Sequence, residues 1–421
     1  MPTQPTPSTR GPRAPRPTRR SALTVVCALA VGATLATPGI AAAGDRDRGS
    51  GHGHGGGHGH GRGHQPRPDA VQKALDRVVA LGAPGALASV ADRRGERDLV
   101  AGVGDLATGA PVPVDGQVRI GSDSKAFLSA VVLQLVGEGL VDLDASVETY
   151  LPGVVRAEGL DADAITVRDL LQHTSGIGSF TAGPPFVVDG VPALTATKDW
   201  YVEPYELVAL GLAAPTTEHG TWAYSNTNYV LAGLIVQKVT HRPLGEVITD
   251  RIIEPLGLTD TYVPGRGERA IRGEHPQGYH AEPAGTALFE HTEIEPAPSW
   301  AAGDIVSTPS DLRTFYTALI GGEVLPPAQL AEMRTTVPMV GSGLPESVTY
   351  GLGLFATELS CGITAWGHGG AIPGFSTEGG VSEDGRGVMV ATNVLFGALP
   401  AEAAGAAHAE VTGLVDTVLC S

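Results

Sequence analysis

The sequence predicts a mixed α/β (α+β) chain, on three observations. Strand patterns bounded by turn residues follow an opening helix in the folded part, and helical spacing of apolar residues dominates the middle. Short strands separated by glycine-bearing turns then fill the last third before a final helix. The 421 residues suffice for a large core, and the length fits a two-lobed enzyme as well as two independent domains.

At the N-terminus, Arg10, Arg13, Arg16, Arg19 and Arg20 precede the apolar stretch Ala22 to Ala36, and Ala41-Ala42-Ala43 stands before Gly44. Residues 1–43 therefore read as a cleaved signal peptide, and the expected location is secreted, extracellular. The apolar run is too short and interrupted for a stable membrane span. Arg19-Arg20 ahead of Ser21-Ala22-Leu23 fits the twin-arginine route as well as an ordinary Sec signal. Residues 44–68 form a flexible linker in which His52, His54, His58, His60 and His64 are interspersed with glycine. Imidazoles on such a tether can chelate Zn, Cu or Ni loosely, but a solvated spacer is the expected role, and no catalytic metal is assigned.

The formal net charge is −17, and loss of a basic leader makes the processed chain more acidic still. Binding of nucleic acid or anionic membrane through bulk charge is thereby disfavoured. Three cysteines are present, and only Cys361 and Cys420 lie in the body. In an exported chain they favour one disulfide clipping the C-terminus onto an upstream strand, with two buried thiols as the alternative.

The folded part is expected to begin near Asp69, with a helix from Ala70 to Leu81 carried by Val71, Leu75, Val78 and Val79. Strands Gly85 to Asp92 and Asp98 to Val103 follow, joined by Arg93-Arg94-Gly95-Glu96. Arg119-Ile120 then feeds Gly121-Ser122-Asp123-Ser124-Lys125, which opens a helix through Leu128, Val131, Val132 and Leu135. With Ser122 at its N-cap, Ser122 and Lys125 share one face. Burial and the helix dipole both disfavour an ammonium there, so Lys125 can act as a neutral base for a serine nucleophile. Of 28 Lys+Arg, lysine accounts for only Lys73, Lys125, Lys198 and Lys238, so a titratable amine at this position stands out against a background of arginine.

Further along, Thr166 caps a helix with Asp169 three residues on, and Gly176 is expected to stop it. The Gly/Pro-rich segment Ser179 to Leu194 is long for a compact loop and is placed over the site. Tyr224-Ser225-Asn226 precedes a helix through Leu231, Leu234, Ile235 and Val239, offering a phenol for proton sharing and an amide for a substrate carbonyl. Residues 243 to 263 read as a helix ending at Leu256-Gly257-Leu258, and Ser310 to Ile320 as an amphipathic one, with Trp300 before it as core or substrate wall. Strands Tyr350 to Ala356, Gly362 to Gly367, Phe375 to Ser382 and Gly387 to Thr392 come next, with a turn at Asp384-Gly385 and a last helix from Ala401 to Leu419. His368-Gly369-Gly370 ends the second of these strands and lets backbone approach a ligand closely.

Ser122-Asp123-Ser124-Lys125, Tyr224-Ser225-Asn226 and His368-Gly369-Gly370 stand in the order S-x-x-K, Y-x-N, H/K-x-G. In this the chain resembles the serine β-lactamase and penicillin-binding protein family, in its class C β-lactamase-like branch. The likeness extends over residues 70 to 421, through Leu170 to Gly176, Ala302 to Thr308 and Tyr350 to Leu354. It is nearest to secreted serine-type D-alanyl-D-alanine carboxypeptidases, whose Leu-Ser-Cys-Gly strand resembles Leu359-Ser360-Cys361-Gly362.

The resemblance implies a β-lactamase/DD-peptidase-like fold: an antiparallel sheet flanked by N- and C-terminal helices, with a large, mostly helical lobe inserted. Residues 69–421 would be the hydrolase domain, 69–121 and about 300–421 its sheet lobe and about 122–299 its helical lobe. It implies catalysis by Ser122, Lys125 and Tyr224, with substrate contacts from Asn226, His368, Gly369, Ala371 and Trp300. The N–H groups of Ser122 and Ala371 would form the oxyanion hole, without metal or cofactor. Where those carboxypeptidases carry a threonine and an arginine for the substrate carboxylate, this chain has Gly369 and Phe355.

The expected function is a monomeric, D-alanyl-D-alanine carboxypeptidase-like enzyme acting on peptidoglycan stem peptides and acylated by β-lactams. An esterase or D-amino-acid amidase on the same scaffold is the first alternative, since Phe355 and Gly369 remove carboxylate selectivity. A non-catalytic exported metal-binding protein is the second.

Overall fold

The computed structural model describes residues 69–421, so the signal peptide and linker expected over 1–43 and 44–68 lie outside the described residues. Helix α1 (Ala70–Ala80) is capped by Asp69, whose carboxylate accepts the Val71 N–H at 2.9 Å. Strands β1 (Gly85–Asp92) and β2 (Gly95–Gly102) pair from Gly85↔Gly102 to Asp92↔Gly95. Their turn is therefore the two residues Arg93-Arg94, tighter than the sequence indicates. The charged start of β2 conceals its strand character: Arg97 binds both Asp92 and Asp69 at 2.9 Å, holding the hairpin to α1.

The C-terminal strands are β3 (Val337–Pro338), β4 (Val348–Tyr350), β5 (Phe355–Glu358), β6 (Thr364–Gly367), β7 (Gly370–Ile372), β8 (Phe375–Val381) and β9 (Gly387–Thr392). Among the described residues, the nine strands form one antiparallel sheet in the order β2-β1-β9-β8-β6-β5-β4-β3, with β7 paired to β8. The single strand expected over Tyr350 to Ala356 is split. Gly351 donates to the Leu354 carbonyl at 2.8 Å, reversing the chain so that Tyr350 pairs with Phe355.

Strand β1 is buried along residues 85–90 on both faces, which is why it reads as a continuous small and apolar run. Helices α1 and α7 (Ala401–Leu419) pack against one another and on β1, while α6 (Pro309–Gly321) packs on β1, β8 and β9. The Cys361–Cys420 disulfide ties the β5–β6 turn to the end of α7.

Between these sheet-forming ends the chain is mostly helical. Helix α2 (Ser124–Gly137) is apolar on nearly every side and accordingly buried, packing on α5 (Asn226–Thr240). Helix α3 (Val167–Gln172) has the expected Thr166/Asp169 capping box but stops at His173 (φ 61°), earlier than Gly176. Helix α4 spans Pro204–Ala213. The helix expected from residue 243 runs over 244–256, with a π turn at Thr249–Ile253 and Gly257 (φ 65°) ending it. Among the described residues no helix is long and apolar enough to cross a membrane.

Candidate active site

Ser122 is not an N-cap. It sits inside a single 3-10 turn, Gly121–Asp123, that runs directly into α2. Side chains three residues apart eclipse in such a turn, bringing Lys125 onto Ser122. Lys125 Nζ lies 2.9 Å from Ser122 Oγ and donates to the Ala302 carbonyl at 2.6 Å. The Tyr224 hydroxyl, from the segment entering α5, donates to Ser122 Oγ at 2.9 Å. Ser122 Oγ thus has both an amine and a phenol within hydrogen-bond reach, its two lone pairs able to accept from each.

The electrostatics agree. Lys125 is 0% exposed, and burial drives its pKa well below the ordinary lysine value, opposed by the charge of Asp123. The Tyr224 and Tyr229 rings, with centroids 5.0 and 5.4 Å from Nζ, favour the ammonium only weakly by comparison. Burial raises the Tyr224 phenol, so it stays protonated and can donate.

Gly121 (φ 50°) lets the nucleophile turn press against β7: a Cβ there would stand 2.9 Å from the Ala371 amide nitrogen. Ser122, Tyr224, Asn226 and Ala371 all line one cavity, and the Asn226 amide donates to Thr181 at 3.3 Å on its wall. Phe180, Phe186, Leu194, Ile294 and Pro298 make that wall largely apolar, with Lys198, His291 and Glu295 as its ionisable groups. The segment Ser179 to Leu194 thus contributes to the wall.

His368, Gly369 and Trp300 do not line this cavity. His368 is buried and bonded internally, Nδ1 to the Gly369 carbonyl at 2.7 Å and Nε2 to the Tyr350 hydroxyl at 3.1 Å. Burial holds its pKa at about 3. Trp300 is turned toward α5, its ring edge packing on Gly233. Phe355 packs against the His368 and Tyr350 rings, with centroids 4.7 and 4.9 Å away.

Two residues at the site carry no role in the sequence reading. His173 is buried with its ring centroid 4.3 Å from that of Tyr224. Asp123 is 0% exposed directly behind Ser122. A left-handed histidine at a helix end and an acid inside a nucleophile motif have no periodic signature, and only the fold shows both buried.

A serine hydroxyl bonded to a buried amine and a buried phenol, on the wall of a cavity, defines a serine hydrolase. Over residues 71–412 the chain matches the family Beta-lactamase, and it belongs to that family. It is similar to the crystal structure of a D-stereospecific amidohydrolase from Streptomyces sp., at 40% identity and TM-score 0.71, over 78% of this chain and 95% of that one. It is also similar to the D-amino acid amidase from Ochrobactrum anthropi SV3, at 27% identity and TM-score 0.67, over 83% and 100%. Penicillin-binding protein 4 of Amycolatopsis lactamdurans is 27% identical over 318 residues, 70% of this chain and 74% of that protein. The chain spans 60% of the length of two relatives from Bacillus subtilis (strain 168).

Proposed function

We propose that this serine hydrolase is a secreted, D-stereospecific amidohydrolase acting on amides and esters of D-amino acids with apolar side chains. The observation that carries the reading is the cavity wall, which is mostly apolar and to which no arginine contributes among the described residues. The positions that would read a terminal carboxylate in a carboxypeptidase hold Phe355 and Gly369, neither of which faces the cavity. The similarity to a D-stereospecific amidohydrolase and a D-amino acid amidase supports the same reading.

In the proposed reaction Ser122 Oγ bonds to the substrate carbonyl carbon as its proton passes to Lys125 Nζ. The N–H groups of Ser122 and Ala371 hold the resulting oxyanion. Collapse breaks the bond to the amine or alcohol, which leaves with a proton relayed through Tyr224 and Lys125. Water, deprotonated by the same pair, then releases the acid and restores Ser122. Asn226 orients the substrate amide. Export is part of the proposal and is supported by the Cys361–Cys420 disulfide, a bond typical of oxidising compartments.

A D-alanyl-D-alanine carboxypeptidase is the second reading, favoured by Lys198, a cation on the cavity wall able to pair with a substrate carboxylate. Turnover of D-phenylalanine amide, L-phenylalanine amide and a peptide ending in D-Ala-D-Ala separates the two. Selective hydrolysis of the D-amide is expected. Selective hydrolysis of the peptide, lost in Lys198→Ala, would establish the second reading instead.

A further inference from the structure

A second cavity, of about 630 Å³, is separated from the active site by one short segment of chain. Along residues 295–304, Glu295, Pro298, Ser299, Ala302 and Gly303 line the active-site cavity, whereas Pro296, Ala297, Trp300 and Asp304 line the second. The 244–256 helix and the chain from Thr261 to Gly265 contribute the rest of its wall, where Leu244, Val263 and Pro264 add apolar surface. The volume is that of an ordinary small-molecule site.

The exposed charges around this cavity are matched. Glu246 and Asp250 pair with Arg242 at 3.3 and 2.7 Å, Arg266 with Glu203 at 2.5 Å, and Arg272 with Glu268 at 2.6 Å. Asp304 is the exception. It is 6% exposed, and among the described residues its carboxylate has no hydrogen bond or ion pair with another residue. Arg119, the buried cation whose charge acts on it, donates instead to the Thr292 and Arg269 carbonyls. Burial accordingly drives the Asp304 carboxyl well above the ordinary carboxylate value. A buried acid without a partner is costly, and the cavity is the side from which a partner can come.

We infer that this cavity is a second ligand site, for a small primary amine whose ammonium pairs with Asp304 and whose alkyl chain lies along Leu244, Val263 and Trp300. The unmatched charge is acidic, so it selects a cation, and the apolar wall beside it suits an alkyl chain better than a second polar group. A bound amine rests against the outer side of the turn whose Ala302 carbonyl accepts from Lys125.

Calorimetric titration of the full chain with butylammonium chloride at pH 8 tests the inference. One saturable site with a Kd of about millimolar or tighter is expected. Asp304→Asn keeps the shape of the side chain but removes its charge, and should weaken binding at least about tenfold. Butanol, which lacks the charge, should bind at least about tenfold more weakly than the ammonium. Glu295 is the one acid lining the active-site cavity among the described residues, so Glu295→Gln would expose an amine held there instead. That variant should titrate as the parent does. Ser122→Ala should also bind unchanged, so failure of the proposed reaction leaves this test intact. Absence of saturable binding, equal binding by Asp304→Asn, equal binding of butanol, or loss of binding in Glu295→Gln or Ser122→Ala would each overturn the inference. Should Asp304→Asn not fold, Val263→Trp carries the test by filling the cavity from its wall, and an unchanged affinity in that variant contradicts the inference.

Discussion

His173 holds the ring of Tyr224 from behind: the two ring centroids are 4.3 Å apart at an interplanar angle of 39°, and His173 Nδ1 accepts the Ser225 N–H at 3.2 Å. Because Nδ1 accepts, the imidazole is neutral, and burial depresses its pKa well below the ordinary histidine value. His173→Ala removes both the ring contact and the backbone anchor. The expected result is a loss of about tenfold to a hundredfold in kcat/KM from a misplaced phenol. Unfolding in urea should show a stability loss of about 2–4 kcal/mol from the cavity and the orphaned N–H.

Lys125→Arg tests the base directly. Arginine fills the same position but stays protonated and cannot accept the serine proton. The initial burst of nitrophenol from a nitrophenyl ester is expected to slow by about a thousandfold or more. A variant retaining most of the burst would mean that a different group activates Ser122.

The Cys361–Cys420 bond closes a loop across a sequence separation of 59, far from the cavity. Chain-entropy arguments give a bond of this span a contribution of about 4 kcal/mol, and measured values for disulfides typically run from about 2 to 4. Cys361→Ser is expected to lower the urea midpoint accordingly while leaving kcat/KM unchanged under native conditions.

His408 on α7 and Glu378 on β8 meet at 2.7 Å. Burial opposes the charged imidazole, but the carboxylate beside it prevails and raises the pKa above 6.5. The imidazolium is therefore more favourable in the folded chain, a stabilisation complete below the unfolded value and lost as pH rises through the folded one. His408→Gln should lower Tm more at pH 5.5 than at pH 9. An equal effect at both would remove the charge from the account.

Much of the site was legible because its chemistry sits in short motifs. Ser122 and Lys125 share a turn, Tyr224 and Asn226 share a helix entrance, and the rarity of lysine set Lys125 apart. The amphipathic α6 and the Asp384-Gly385 turn between β8 and β9 were likewise local signals. Where the reading failed, long-range packing decided. The charged strand β2 is held by Arg97 ion pairs that no periodicity reveals, and the Gly351–Leu354 reversal is set by the pairing of β4 with β5. Trp300 packs on Gly233 and His368 bonds Tyr350 and Gly369, while the cavity wall is gathered from residues 180–198 and 291–298, which have no common pattern. The role of His173 is defined by what surrounds it, not by its neighbours in sequence.

The central claim is that Ser122 becomes covalently acylated through Lys125. Acid quenching of the full chain during its burst with a D-phenylalanine nitrophenyl ester, followed by intact-mass analysis and peptide mapping, tests it most directly. The account predicts one adduct per chain on the peptide containing Ser122, absent in Ser122→Ala and strongly slowed in Lys125→Arg. An adduct on another residue, or one that persists in Ser122→Ala, would contradict it.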